Sequence, residues 1–305
     1  VAATWIDLLD PSADELRAKS PRELEESAVE LLLQSPKHED EPRPTIQGHG
    51  DYVFGIFLIA VAIPDEDTVY YQEIDVVIAH DTLLTVRKTP PGGGGRQPYD
   101  IALARESAKE DDSAGMLAYR VIDDIAERYL DLVDDLDAEI DELEDRVESQ
   151  SAELTRQRIS ELRHDMLHIR RTLAPMRDAV RRVIVNACDV DRGPEVFPHD
   201  VEVAFNAVYD KLMRALDSLD LTRDLLAGVR DYHQAQISNS QNEVMKRLTV
   251  VASLLLVPTF IVGLYGQNFR HIPELGWHWG YEFAWGLIIG TTVFQLWLFR
   301  RNRWF

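Results

Sequence analysis

The chain is poor in cysteine, and poor in positive charge for its acid content. One cysteine, Cys188, stands in 305 residues, which excludes an internal disulfide and any cysteine-based zinc site. Only 32 Lys and Arg oppose 53 Asp and Glu. The last 58 residues hold four Arg and two Glu, so residues 1–247 carry 28 bases against 51 acids, a net −23. Such a surface repels nucleic acid and anionic lipid headgroups, which recruit basic patches. No nucleic-acid partner is expected; a cationic one is. No nucleophile–base pair or catalytic metal motif stands out, so an enzyme is not expected. Val1-Ala2-Ala3-Thr4-Trp5 lacks the pattern of a secretory leader.

The end of the chain lacks charge altogether over two stretches. Between Arg247 and Arg270 lie 22 uncharged residues, and between Glu282 and Arg300 lie 17. A helix crossing a bilayer needs about 20 apolar residues, with roughly 17 as the lower limit, so both stretches are expected to span a membrane. Lys246 and Arg247 precede the first, Arg300, Arg301 and Arg303 follow the second, and the loop between them has Arg270 alone. By the positive-inside rule both termini are cytoplasmic and the loop lies outside, in the inner (plasma) membrane.

Upstream, residues 4–9 read as a strand, and a helix opening at Pro11–Leu16 runs through Leu31–Leu33 into a loop at 35–44. Apolar, β-branched runs at 52–62, 69–74, 76–79 and 83–86, with His80-Asp81 as a turn, make residues 1–90 a small α/β unit. The run Gly92–Gly95 lacks the Gly-Lys-Ser/Thr of a phosphate cradle and reads as a surface loop. Residues 114–148 carry Leu117, Val121, Ile125, Tyr129, Leu132, Leu136, Ile140, Leu143 and Val147 at helical spacing among acids. After a break at 149–151 comes an arginine-rich helix, 152–186, so the pair is expected to be an antiparallel hairpin zipped by charge. His164 and His168 share a face there, but without Glu or Cys at ligand spacing they read as packing or surface residues.

After a break at 191–198, a single helix is expected from near Asp200 to Gly263. Asp210, Asp217, Asp224 and Asp231 recur every seven residues along it, and the register continues through Ser238, Met245, Ala252 and Thr259. A sevenfold repeat keeps one face only in supercoiled helices. The pattern therefore predicts a bundle of identical helices whose seam turns from acidic to apolar, against the plainer reading of a solvated face. The four Asp are candidate metal ligands. Two spans cannot enclose a polar path, so conduction would require a ring of copies. The first span, with Thr249, Ser253, Pro258 and Thr259, is expected inside, and the bulkier second span, with Trp285 and Trp297 at its ends, against lipid.

The segments Asn242–Thr249, Pro258–Phe269, Pro273-Glu274-Leu275 and Trp277–Tyr281, with the basic-aromatic tail, resemble the CorA family of divalent-cation channels. The match is dense over 238–305 and looser over the acidic helix 117–147 and the start, Trp5-Ile6-Asp7-Leu8. The resemblance implies an α+β membrane protein: an αβα cytosolic domain with the helical hairpin (1–199), a stalk helix (200–247) continuous with the first span (248–265), an outer loop (266–282), a second span (283–299) and a basic tail (300–305). It implies a ring-shaped homopentamer in the lipid bilayer, passing Mg²⁺, with Co²⁺ and Ni²⁺ as further candidates. Asp231, Asn242, Met245, Leu248, Leu256, Thr259 and Asn268 fall at its pore-facing positions; Met245, Leu248 and Leu256 become a hydrophobic constriction, Asn242 and Thr259 polar rings. Glu274 and Glu282 would gather cations outside. Mg²⁺ would also bind between cytosolic domains and close the gate, although one stalk Asp of that sensor aligns with Ala207. The family's Gly-Met-Asn signature is here Gly266-Gln267-Asn268. That departure keeps open a zinc transporter of the ZntB type in the same superfamily, with His271 and His278 as candidates for proton coupling. A non-conducting membrane scaffold is the alternative of another class.

Overall fold

The computed structural model describes residues 2–35, 43–63, 68–92, 96–147, 149–190, 194–268 and 273–304. The chain divides into two units, Val1–Arg230 and Asp231–Phe305. Parts of four expected loops (36–42, 93–95, 191–193 and 269–272) lie outside the described residues.

The first unit is built on a sheet of five strands: β1 (Thr4–Leu9), β2 (Thr45–His49), β3 (Tyr52–Ile63), β4 (Thr68–Ala79) and β5 (Thr82–Arg87). Their order is β1-β5-β4-β3-β2, with β1 parallel to β5 and the other pairs antiparallel. Both faces are covered, which is why the strands read as nearly unbroken apolar runs. One face, with Phe54, Ile56, Val77, Leu84 and Val86, packs with Leu16 of α1 (Ala13–Lys19) and Leu32 of α2 (Glu26–Leu33). The other, with Val53, Phe57, Ile74, Val76 and Ile78, shares a core with the long helices. These are α4 (Ala114–Arg146), α5 (Ala152–Ile184) and α6 (His199–Tyr265), preceded by the short α3 (Ala102–Ser107). The expected αβα layering is present.

Serines start three of these helices. Ser12, Ser113 and Ser151 accept hydrogen bonds from the amides of Glu15 (3.2 Å), Met116 (3.3 Å) and Leu154 (3.4 Å). Each such cap is worth about 1 kcal/mol.

Four expectations need correction. The helix expected through Leu33 is two helices, because a residue before proline avoids the helical region and Ser20, ahead of Pro21, is extended. The runs at 69–74 and 76–79 form one strand, since Asp75 remains in the ladder opposite Ile56 and Val86. Strand β2 was not anticipated: it is short, and Gln47, Gly48 and His49 hide its pattern. Gly48 permits a close approach, as a Cβ there would lie 2.5 Å from the Asp189 carbonyl oxygen. Finally, charge does not zip the hairpin. Among the described residues Glu139–Arg158 pairs α4 with α5, but Arg170 turns to Asp220 of α6, and Lys211 of α6 reaches Asp123 and Glu127 of α4, each at 2.6 Å. The stripe from Leu117 to Leu143 is buried, as expected, and apolar packing supplies the cohesion that exposed ion pairs contribute only weakly.

One buried charge cluster departs from this apolar pattern. Asp75 (0% exposed), Glu73 and Lys88 are enclosed on the α2 side of the sheet. The Lys88 ammonium pairs with Glu73, lies 2.8 Å from Asp75 Oδ2 and donates to the Leu31 carbonyl at 2.7 Å. Burial pushes the Asp75 carboxyl up to about 8 despite Lys88. One ammonium cannot neutralise two buried carboxylates, so the cluster keeps a proton.

The second unit contains the last part of α6, a 3-10 turn at Pro273–Gly276 and α7 (Gly280–Arg301). Both α6 and α7 are long and apolar enough to cross a membrane. At about 1.5 Å per residue the 22 residues of α7 extend about 33 Å, close to a hydrocarbon core of about 30 Å.

Candidate ion-conduction site

The membrane part of α6 has two unlike faces. Val250 (1% exposed) and Ile261 (6%) are buried, and Ser253, Leu254, Val257 and Pro258 are half-buried between them. Helix α7 presents a matching stripe of half-buried residues, Ala284, Ile288, Thr291, Thr292, Gln295 and Phe299. Met245 (58%), Leu248 (60%) and Leu256 (70%) remain open, as does Thr259. At 100° per residue these four fall within about 80° of arc, and that arc is centred roughly 170° from the Val250–Leu254–Val257–Ile261 stripe. The residues expected to line a path are thus on the face of α6 turned from α7. Asn242 is likewise exposed.

The described threonine hydroxyls of the two spans direct their hydrogens to their own helices and keep their oxygens as acceptors. Thr249 and Thr259 donate back to the carbonyls of Met245 (2.8 Å) and Leu255 (2.7 Å), and Thr291 and Thr292 of α7 do the same to Leu287 and Ile288, each at 2.8 Å. Pro258 has no amide hydrogen, so the helical bond to the carbonyl of Leu254 is missing about two turns before the outer end. One hydrogen-bonding group crosses between the helices among the described residues. The Gln295 amide nitrogen lies 3.2 Å from Ser253 Oγ and 3.3 Å from the Ser253 carbonyl oxygen. Sequence reasoning missed Gln295; its signal is an amide set alone in an otherwise apolar second span.

Helix α6 ends at Tyr265, where Gly266 N–H donates to the Val262 carbonyl at 2.9 Å and Gln267 N–H to that of Leu264 at 3.4 Å. A Cβ at Gly266 would stand 3.2 Å from the Val262 oxygen, so glycine suits this close turn. Gln267 and Asn268 follow, both exposed. Their amide oxygens are the acceptors a hydrated cation could meet. Glu274 is in the 3-10 turn, and Glu282 is exposed in the first turn of α7. His271 is outside the described residues, while His278 meets Trp279 edge-on, ring centres 5.8 Å apart. Aromatic rings bracket α7, with Trp277 against Phe283 (5.7 Å) at its start and Arg301 over Trp297 (5.3 Å) at its end. Such belts and basic ends mark bilayer interfaces.

Asp210, Asp217, Asp224 and Asp231 are all exposed on α6. Consecutive members are a heptad apart, about 10 Å along the axis, so one ion cannot bridge two of them within a chain. No group of three or more His, Cys, Asp or Glu able to hold a metal occurs among the described residues. His164 and His168 contact each other, ring centres 4.4 Å apart.

Known proteins resemble this chain in sequence and in fold. Over 305 aligned residues the chain is 23% identical to the cobalt/magnesium transport protein CorA of Methanocaldococcus jannaschii, covering 98% of this chain and 90% of that one. It is 31% identical to the Thermotoga maritima protein of the same name over 191 residues, which take in 63% of this chain but only 53%, about half, of its relative. In structure it matches the complete CorA magnesium transporter of Methanocaldococcus jannaschii with a TM-score of 0.76 over 99% of this chain and 91% of that one, at 20% identity. The full-length CmaX protein follows at 0.69 over 98% and 88%, at 22% identity. The cytoplasmic domain of Vibrio parahaemolyticus ZntB matches at 0.55 over 78% of this chain and 90% of that domain, at 14% identity. The profile of the CorA-like Mg²⁺ transporter proteins runs through residues 2–301, the sheet, the long helices and both spans together, and this chain belongs to that family.

Proposed function

We propose that the chain assembles as a homopentamer in the inner membrane, both termini cytoplasmic, and conducts Mg²⁺ passively into the cell, with Co²⁺ and Ni²⁺ as further cargoes. The observation that carries this reading is the two-faced α6: one face is held by α7, and the opposite one leaves Met245, Leu248, Leu256 and Thr259 uncovered. Five such faces around an axis enclose a path that two helices cannot. An inside-negative potential drives entry, at about 2.3 kcal/mol per charge per 100 mV, roughly twice that for a dication.

At the outer mouth the exposed Asn268 amides and neighbouring carbonyls meet the ion. Mg²⁺ gives up its water reluctantly, so these groups act through its hydration shell. Glu274 and Glu282 raise the local cation concentration. Thr259 and Asn242 form polar rings, while Met245, Leu248 and Leu256 close the conduit by excluding water. In the cytosol, Asp210, Asp217, Asp224 and Asp231 of neighbouring copies hold Mg²⁺ when it is plentiful. Its loss leaves like charges repelling and favours opening.

The test is uptake by liposomes containing purified protein, with Mg²⁺, Co²⁺ and Zn²⁺ offered separately. Potential-driven Mg²⁺ entry is expected. Zn²⁺ entry without Mg²⁺ would assign the chain to ZntB-type transport, the reading that Gln267 favours, and no entry of any ion would contradict conduction.

A further inference from the structure

We propose that Gln295 is a positioning residue for the conducting helix: its amide clamps Ser253 of α6 and fixes which side chains of that helix face the ion path. This rests on the transport reading above.

The amide's orientation follows from its partners. One atom of the Gln295 amide lies 3.3 Å from the Ser253 carbonyl oxygen and 3.2 Å from Ser253 Oγ. A carbonyl oxygen only accepts, so the facing atom must be the nitrogen. The other amide atom, Oε1, is buried without a hydrogen-bond partner among the described residues. Rotating the amide would set two oxygens against each other. The clamp therefore has one stable orientation, held from the nitrogen side.

Its location gives it leverage. The described threonine hydroxyls of the two spans fold back onto their own helices, leaving Gln295 as the crossing group among the described residues. The rest of the α7 seam includes Ala284, Ile288 and Phe299. Apolar contacts alone allow helices to roll and slide in hydrocarbon, where no hydrophobic force favours one pairing over lipid. A hydrogen bond fixes both azimuth and register. Ser253 stands three residues before Leu256 and six before Thr259, so a roll of α6 about that point would carry both away from the axis together.

The test uses full-length protein in liposomes. Gln295→Met keeps the side chain's length and removes its donor. It should lower Mg²⁺ uptake about tenfold, the effect of an interhelical bond near the upper end of measured strengths, and should change the ratio of Mg²⁺ to Co²⁺ flux. Ser253→Thr, which keeps the hydroxyl, should remain near wild type, whereas the equally shaped Ser253→Val should lose part of the flux through the Oγ contact. Independently of flux, nitroxides at Val251 and Val293 in Cys188→Ala protein, diluted with unlabelled protein, should give one narrow distance in the parent and a broadened or shifted one in Gln295→Met. Wild-type uptake and flux ratio in Gln295→Met, or an unchanged distance distribution, would overturn the proposal. If the parent carries no divalent cation, the transport reading fails, and the distance distribution alone decides whether Gln295 positions α6.

Discussion

The two units use the same apolar residue types in opposite ways. In Val1–Arg230 they close on themselves: Phe57, Tyr129, Phe197 and Phe205 are at most 1% exposed, and both faces of the sheet are covered. In Asp231–Phe305 only Val250 and Ile261 count as buried among the described apolar residues, while Phe260, Leu256 and Tyr281 are at least 68% exposed. The first unit is a finished core. The second is a pair of helices whose outward faces the described chain leaves uncovered, the faces that the proposed function gives to lipid and to further copies of the chain. Its polar groups show the same division, since buried Asp75 has Lys88 and Glu73 beside it whereas Asn268 is held out to solvent.

That contrast can be broken in several ways, and the largest effect is functional. Asn268→Ala should abolish Mg²⁺ uptake while gel filtration in detergent shows the same oligomer; unchanged uptake would remove Asn268 from selection. Next, equal truncations should have unequal costs. Phe57→Ala should destabilise the first unit by about 3–5 kcal/mol, seen as an earlier thermal transition by circular dichroism, whereas Phe260→Ala should leave that transition in place. A similar loss from both would show Phe260 to be packed as tightly as Phe57.

A smaller effect concerns the buried proton. The folded-state pKa of Asp75, about 8, lies above its ordinary 3.8, so between those values the folded chain holds a proton that the unfolded chain has released. The stability this confers is complete below about 4 and is lost as pH rises towards 8. The melting temperature of the parent minus that of Asp75→Asn should therefore fall by several degrees between pH 5 and 8.5, and a constant difference would mean that Asp75 is ionised throughout. The smallest change expected is in Gln267→Met, which restores the family's Gly-Met-Asn and should shift the flux ratio toward Mg²⁺ over Zn²⁺. An identical ion profile would show that the middle side chain does not read the ion.

Much of the fold was legible because it rests on periodicity. The seam Leu117–Leu143, the long α6 and the two uncharged spans all follow from spacing and length. Strand β2 was not legible, because five residues that include Gly48 carry no clear alternation. Nor was the division of α1 from α2 foreseen, although Pro21 was its signal. The charge-zipped hairpin failed for a different reason: sequence shows which charges exist, but Arg170 chose Asp220 on a third helix. At the site, the heptad positions Met245 and Thr259 are exposed on the face of α6 turned from α7. The Gln295–Ser253 clamp depends on how two distant segments are phased, and no local pattern encodes that.

The central claim is that the face of α6 opposite α7 meets water and ions. The direct measurement places single cysteines along residues 245–261 in Cys188→Ala protein and follows their modification by a charged, water-soluble thiol reagent in liposomes. The account predicts reaction at 245, 248, 256 and 259, slowed by Mg²⁺, and protection at 250, 254, 257 and 261. Reaction on the α7-facing stripe with protection of the opposite one would contradict it.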